Sequence, residues 1–271
     1  MTTELSETIP TADRIVHLTD QLSALPHLRP DPRTNALFGD LVHTVLSAPE
    51  RHARDILAHE EVRRRTAAVR DLSARGETAL EHDWAERIIA ASDPHAALAA
   101  FPYLDNYVRL TALEVRLLRA AAGTPSAVAV VGCGPLPLTA FGYADALGCP
   151  VVGLDRAEDA VARARRVSAR LGSPVRFERA DAADADLAGY DAVVLAALVG
   201  ETPSDKAAVL ARMAAAMRPG AHLLARSAHG LRTLLYPPVD LRAMPGFEVL
   251  EVVHPTDDII NSVVVARRPE R

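Results

Sequence analysis

The chain has 271 residues, 49% of them hydrophobic, and a formal net charge of −5. That length suits one large domain with an appendage and a sizeable core. The acidic balance lacks the basic footprint that a nucleic-acid backbone requires, and the arginine runs at 63–65 and 163–166 suit solvated helix faces better.

Two cysteines, Cys133 and Cys149, occur outside any Cys-x-x-Cys or Cys/His ligand spacing, which argues against a disulfide-built secreted fold. No basic-then-apolar leader precedes the first polar helix and no apolar run of about 18 residues occurs, so the expected setting is cytoplasmic and away from the membrane. All but one of the 30 Lys and Arg residues are arginine. The single lysine, Lys206, adjoins the polar stretch 201–205. A Schiff-base or pyridoxal enzyme needs its lysine in an apolar pocket, so that chemistry is not expected.

In chain order, residues 1–122 show helical periodicity throughout, as in Leu37, Leu41, Val42 and Val45. They predict an all-α bundle of five or six helices, with breaks at 26–32, 47–50, 73–76 and 92–94 where Ser or Asp can cap the next helix. From 123 onward the pattern changes to short β-branched runs alternating with helices. Strands are predicted at 127–131, 151–154, 175–178, 191–195 and 221–225, which implies right-handed crossovers and a mostly parallel sheet. Two last strands, near 247–253 and 262–266, have no long helix between them and fit an antiparallel edge hairpin. The expected class is therefore α/β, a Rossmann-like domain of the SAM-dependent methyltransferase type at 123–271, with an N-terminal all-α domain at 1–122.

The first strand runs into Val131-Gly132-Cys133-Gly134-Pro135-Leu136-Pro137-Leu138-Thr139, after which a helix begins. Glycines there let a ligand approach the backbone closely, and the helix start offers unpaired N–H groups to a carboxylate or a phosphate. Asp155 ends the second strand, 23 positions after Gly132, near the distance at which an acid grips ribose hydroxyls. Asp181, after the third strand, suits an adenine amino group. A glycine turn followed by two acids in this order favours S-adenosylmethionine (SAM) over NAD.

Several longer stretches resemble nicotianamine synthases: residues 132–139, Leu195-Ala196-Ala197-Leu198-Val199-Gly200, Arg226-Ser227-Ala228-His229-Gly230, and 254–262 beginning His254-Pro255-Thr256-Asp257. Upstream, Phe101-Pro102-Tyr103-Leu104-Asp105-Asn106-Tyr107 and Asn35-Ala36-Leu37-Phe38 look similar to that family's helical part. The resemblance implies that SAM serves as an aminobutyrate donor, with release of methylthioadenosine, and that the N-terminal helices cover the SAM cleft. Taken with the turn and its acids, the expected donor contacts are Gly132, Gly134, Pro135, Leu136, Thr139, Asp155, Asp181 and Ala197. An acceptor ammonium must lose a proton before its nitrogen can attack, and the resemblance makes Glu81 the base. It also places Tyr103 and Tyr107 in the cleft.

Asn106, Arg226 and His229 are the expected substrate contacts, Arg226 as a clamp for a carboxylate. No metal site is expected, and His254, Asp257 and Asp258 read as a structural turn. Partners are small molecules, and the resemblance is compatible with a homodimer. Cyclisation of SAM to azetidine-2-carboxylate and ordinary methyl transfer are the alternative reactions, and a silent SAM- or metallophore-binding protein is the non-enzymatic one.

Overall fold

A computed structural model describes residues 2–200 and 202–270. Its helices are α1 (Thr2–Ser23), α2 (Pro32–Ser47), α3 (Ala53–Ala58), α4 (Glu60–Ala90), α5 (Pro94–Ala99) and α6 (Leu104–Ala122), followed by α7 (Leu138–Leu147), α8 (Glu158–Leu171) and α9 (Pro203–Ala216). Its strands are β1 (Val128–Val131), β2 (Val151–Asp155), β3 (Arg176–Arg179), β4 (Ala192–Leu195), β5 (His222–Ser227), β6 (Glu248–Val253) and β7 (Ser262–Arg267). Two compact units emerge. One holds the chain up to Leu80 with Ala228–Pro238, the other holds Glu81–Ser227 with Val239 onward.

In the first unit the helix starts are written locally. Asp31 caps α2 by accepting the Thr34 N–H at 2.8 Å, with Pro32 at the first helical position. Ile15, Leu18 and Leu22 of α1 and Leu41 and Val45 of α2 are buried at helical spacing. Arg70 donates to the Thr233 carbonyl at 2.7 Å and Tyr236 donates to Glu77 at 2.6 Å, tying the 228–238 segment to α4.

The break expected at 73–76 does not occur, since α4 runs unbroken through Gly76. The glycine answers a packing demand instead. A Cβ there would collide with the Phe38 ring, so its role is close approach rather than helix termination.

The second unit is built on a seven-stranded sheet in the order β3-β2-β1-β4-β5-β7-β6. The first five strands pair parallel, and β7 lies antiparallel between β5 and β6. The two central strands, β1 and β4, are buried at every position, as expected for parallel strands covered on both faces. Each such valine contributes about 1.5–3 kcal/mol relative to exposure. The edge strand β6 is largely open to solvent.

Helix α6 packs on α7, β5 and β7, where Gly142 of α7 leaves room for the Thr111 side chain. That packing is why residues 81–122 group with the sheet, and the compact units therefore do not follow a boundary at 122. No described helix is long and apolar enough to cross a membrane.

Lys206 departs most from its expected place. The residue lies on the buried stripe of α9 with Leu210, Met213 and Ala214, and is only 1% exposed. Its Nζ donates to the Ala197 carbonyl at 2.6 Å, and burial pulls its pKa down to about 8. Between pH 8 and its ordinary value of 10.5 the folded chain binds fewer protons than the unfolded one, so stability rises with pH across that window. Urea denaturation should show this rise, on the order of 3 kcal/mol, in the native chain and its loss in Lys206→Met. Equal slopes in the two proteins would mean that burial does not depress the Lys206 pKa.

Candidate active site

The carboxyl ends of the parallel strands form one edge. Val131 is in register with Leu154 and Leu195, and Leu195 with Ala225. The chain order reverses between β1 and β4, the switch point at which open α/β sheets bind ligands. There the turn at 132–137 leaves β1 and enters α7.

Gly132 sits so close to the segment after β4 that a Cβ would run into Val199 and come within 3.2 Å of the Ala196 Cβ. The Gly134 N–H donates to Asp155 Oδ2 at 2.9 Å, and Asp155 Oδ1 accepts the Ala157 N–H at the same distance. Asp155 thus shapes the glycine turn as well as ending β2. Each of its oxygens keeps a lone pair for a further hydroxyl donor.

Glu81 stands directly against this turn. A Cβ at Gly134 would lie 2.6 Å from Glu81 Oε2, and the other carboxylate oxygen accepts the Tyr107 hydroxyl at 2.9 Å. Cys133 is buried between acids: burial first, then the Asp155 and Glu81 charges, push its thiol far above the usual range. It stays protonated and is no nucleophile. Around Tyr107, Phe101 packs 6.3 Å from its ring, 6.2 Å from Tyr103 and 5.6 Å from Trp84. Tyr103 occupies the cap position just before α6 rather than its first turn.

Other expected site residues have structural partners. Arg226 is buried and gives both nitrogens of its fork to Glu114, so its guanidinium is committed to that pair and not displayed as a carboxylate clamp. Thr139 shares that pair, its Oγ1 accepting from Arg226 at 2.9 Å. Asn106 spends its amide on the Asp258 carbonyl at 2.6 Å, and Arg109 pairs with Asp257, so the turn after β6 is pinned to α6. His229 belongs to the first unit, where its Nε2 lies 3.2 Å from Glu50.

Pro135 and Leu136 are buried in the turn, while Asp181 is exposed and accepts the Ala183 N–H at 2.9 Å. The buried Ala197 offers its carbonyl to Lys206. Among the described residues no group of three or more His, Cys, Asp or Glu is gathered for a metal ion.

Two residues of this region went unnoticed in the sequence, Glu114 and the fully buried Tyr143. Glu114 had a signal, because it falls on the apolar stripe of α6 with Leu110, Thr111, Leu117 and Leu118, where an acid requires a partner.

A family model described as nicotianamine synthase protein matches residues 5–271. The chain belongs to the nicotianamine synthase family. Nicotianamine synthase 2 of Oryza sativa subsp. japonica is 41% identical over 286 residues, covering 100% of this chain and 86% of that protein. The nicotianamine synthase of Solanum lycopersicum is 38% identical over 269 residues, covering 96% and 84%.

Among solved structures, the E81Q mutant of MtNAS in complex with S-adenosylmethionine superposes with a TM-score of 0.84 at 22% identity, over 95% of this chain and 98% of that one. MtNAS in complex with MTA and tNA gives 0.83 at 23% identity, over 94% and 97%. These likenesses support the fold. The tightness of the glycine turn in this family member has a measurable consequence. Asp155→Ala removes the acceptor for two turn N–H groups, and SAM affinity should fall about ten- to a hundredfold by calorimetry. Unchanged affinity would take Asp155 out of the donor site.

Proposed function

We propose that the chain transfers the 3-amino-3-carboxypropyl group of SAM to an amine acceptor and releases methylthioadenosine. The observation that carries this reading is the placement of the Glu81 carboxylate against Gly134, with the Tyr107 hydroxyl on its other oxygen. Methyl transfer to an amine also needs a proton acceptor, but on the methyl side of the sulfonium. A carboxylate at the donor turn adds a proton acceptor within the shell that would hold the methionine arm.

In the reaction, Glu81 draws in the acceptor ammonium and takes one proton. The freed nitrogen forms a bond to the γ-carbon of the methionine moiety, and the bond from that carbon to sulfur breaks, its electron pair leaving with methylthioadenosine. The turn backbone and Asp155 hold the donor, and the Tyr107 hydroxyl orients the carboxylate. The product keeps an α-amino group that can serve as the next acceptor.

We read the enzyme as cytoplasmic, which its free Cys133 and Cys149 support. The test is mass spectrometry of purified protein with SAM, alone and with a panel of amino acids. Methylthioadenosine together with a gain of one or more aminobutyrate units in the acceptor supports the proposal and names the acceptor. Free azetidine-2-carboxylate would mean cyclisation, and S-adenosylhomocysteine would mean methyl transfer. Either would overturn it.

A further inference from the structure

The charged pair under the glycine turn has no direct part in this chemistry, yet its cost demands a reason. Arg226 Nε and Nη2 meet the two Glu114 oxygens at 2.8 and 3.0 Å, and Nη2 also reaches Thr139 Oγ1 at 2.9 Å. The Arg226 and Glu114 side chains are 6% and 0% exposed. Burial opposes the Arg226 charge, but the Glu114 carboxylate outweighs it and holds the guanidinium above its usual range. Buried pairs of this kind are seldom the most stable way to join two surfaces, since apolar replacements of equal volume often do as well.

What this pair joins is specific. Glu114 belongs to α6, Arg226 to the end of β5, and Thr139 to the first turn of α7, immediately after the glycine turn. Tyr143 lies one turn further along α7, and burial with the Glu114 carboxylate beside it pushes its phenol well above the usual range. On α6, Tyr107 precedes Glu114 by seven residues, two turns along the same face. The Arg226 cation also lies within electrostatic reach of the Tyr107 phenol. Two turns of α6 therefore connect the pair to Tyr107, whose hydroxyl meets Glu81 at the donor turn.

We infer that the Glu114–Arg226 pair, with Thr139, is the positioning unit of the site, locking α6 to α7 and β5 so that the Tyr107 hydroxyl meets the Glu81 carboxylate at the glycine turn. The pair acts through Tyr107 and touches no reacting atom. This rests on the reading of Glu81 as the base.

The test is a mutant cycle on turnover. The apolar pair Glu114→Leu/Arg226→Met leaves no lone buried charge and should lower kcat about tenfold with KM for SAM changed less than twofold. Adding Tyr107→Phe to it should cost less than a further twofold, although Tyr107→Phe alone costs tenfold or more. Thr139→Val, which removes one hydrogen bond at constant volume, supplies the same cycle should the double variant fail to fold. Its expected loss in kcat is about threefold, again without full addition to Tyr107→Phe.

Wild-type kcat in these variants, or losses that multiply fully with Tyr107→Phe, would overturn the positioning role. If instead Tyr107→Phe and Glu81→Gln each leave kcat intact, it is the assignment of the base that fails.

Discussion

Glu81→Gln should lower turnover about a hundredfold or more while leaving SAM affinity within a few-fold of the native value. Glutamine has the size of glutamate and its amide oxygen can still accept the Tyr107 hydroxyl, so the 2.9 Å contact and the packing against Gly134 survive. What is lost is the ability to hold a proton. Removing a general base costs about 10²- to 10⁴-fold, and here the substituted group does not need to move for that cost to appear. Methylthioadenosine release measured by chromatography gives kcat, and calorimetry gives the SAM affinity. A variant that turns over at the native rate would remove Glu81 from the proton transfer. A variant that no longer binds SAM would make it a donor contact instead.

Gly134→Ala should reduce kcat/KM by about a hundredfold through two effects at one position. The backbone there has φ +67°, a conformation that costs an L-residue roughly 1–2 kcal/mol. The new methyl would also sit 2.6 Å from Glu81 Oε2, well inside van der Waals contact, so the carboxylate must swing away from the turn.

Gly148 separates the two effects. It caps α7 with φ +66°, and a Cβ there meets nothing within 4 Å. Gly148→Ala should cost stability on a thermal melt and leave kcat/KM within about twofold, because it shares the strain without the collision. If both alanine variants lose activity equally, backbone strain alone explains Gly134 and the Glu81 contact has no catalytic meaning.

The order and type of elements were legible because their causes are local. The β-branched runs are short and end at turn residues, and all seven predicted strands recur within a residue or two of β1 to β7. Asp31 and Asp93 cap α2 and α5 from within their own four-residue stretches. The glycine turn and Asp155 lie at the ends of adjacent strands, so parallel pairing of β1 with β2 suffices to bring them together. Longer stretches, read together, carried the family resemblance.

Other placements depend on contacts between residues far apart in the chain. Periodicity marks Glu114 as lying on an apolar stripe, but a stripe does not name the group that meets it across the core, and the polar stretch before Lys206 hides the burial that α9 gives it. Arg226 lies 112 residues beyond Glu114, and only the closure of α6 onto β5 turned a carboxylate clamp into one half of a buried pair. Asn106 was claimed in the same way by a carbonyl 152 residues away. Gly76 reads as a helix end because glycine weakens helices, yet the Phe38 ring packed against it makes the missing side chain an asset.

From its own residues the chain thus determined the strands, the caps, the donor turn and its acids, each set by backbone preference or by neighbours in one strand pair. Tertiary structure decided which polar side chains remain available for substrate and which are spent holding the fold, because a buried charge takes whatever partner packing brings to it.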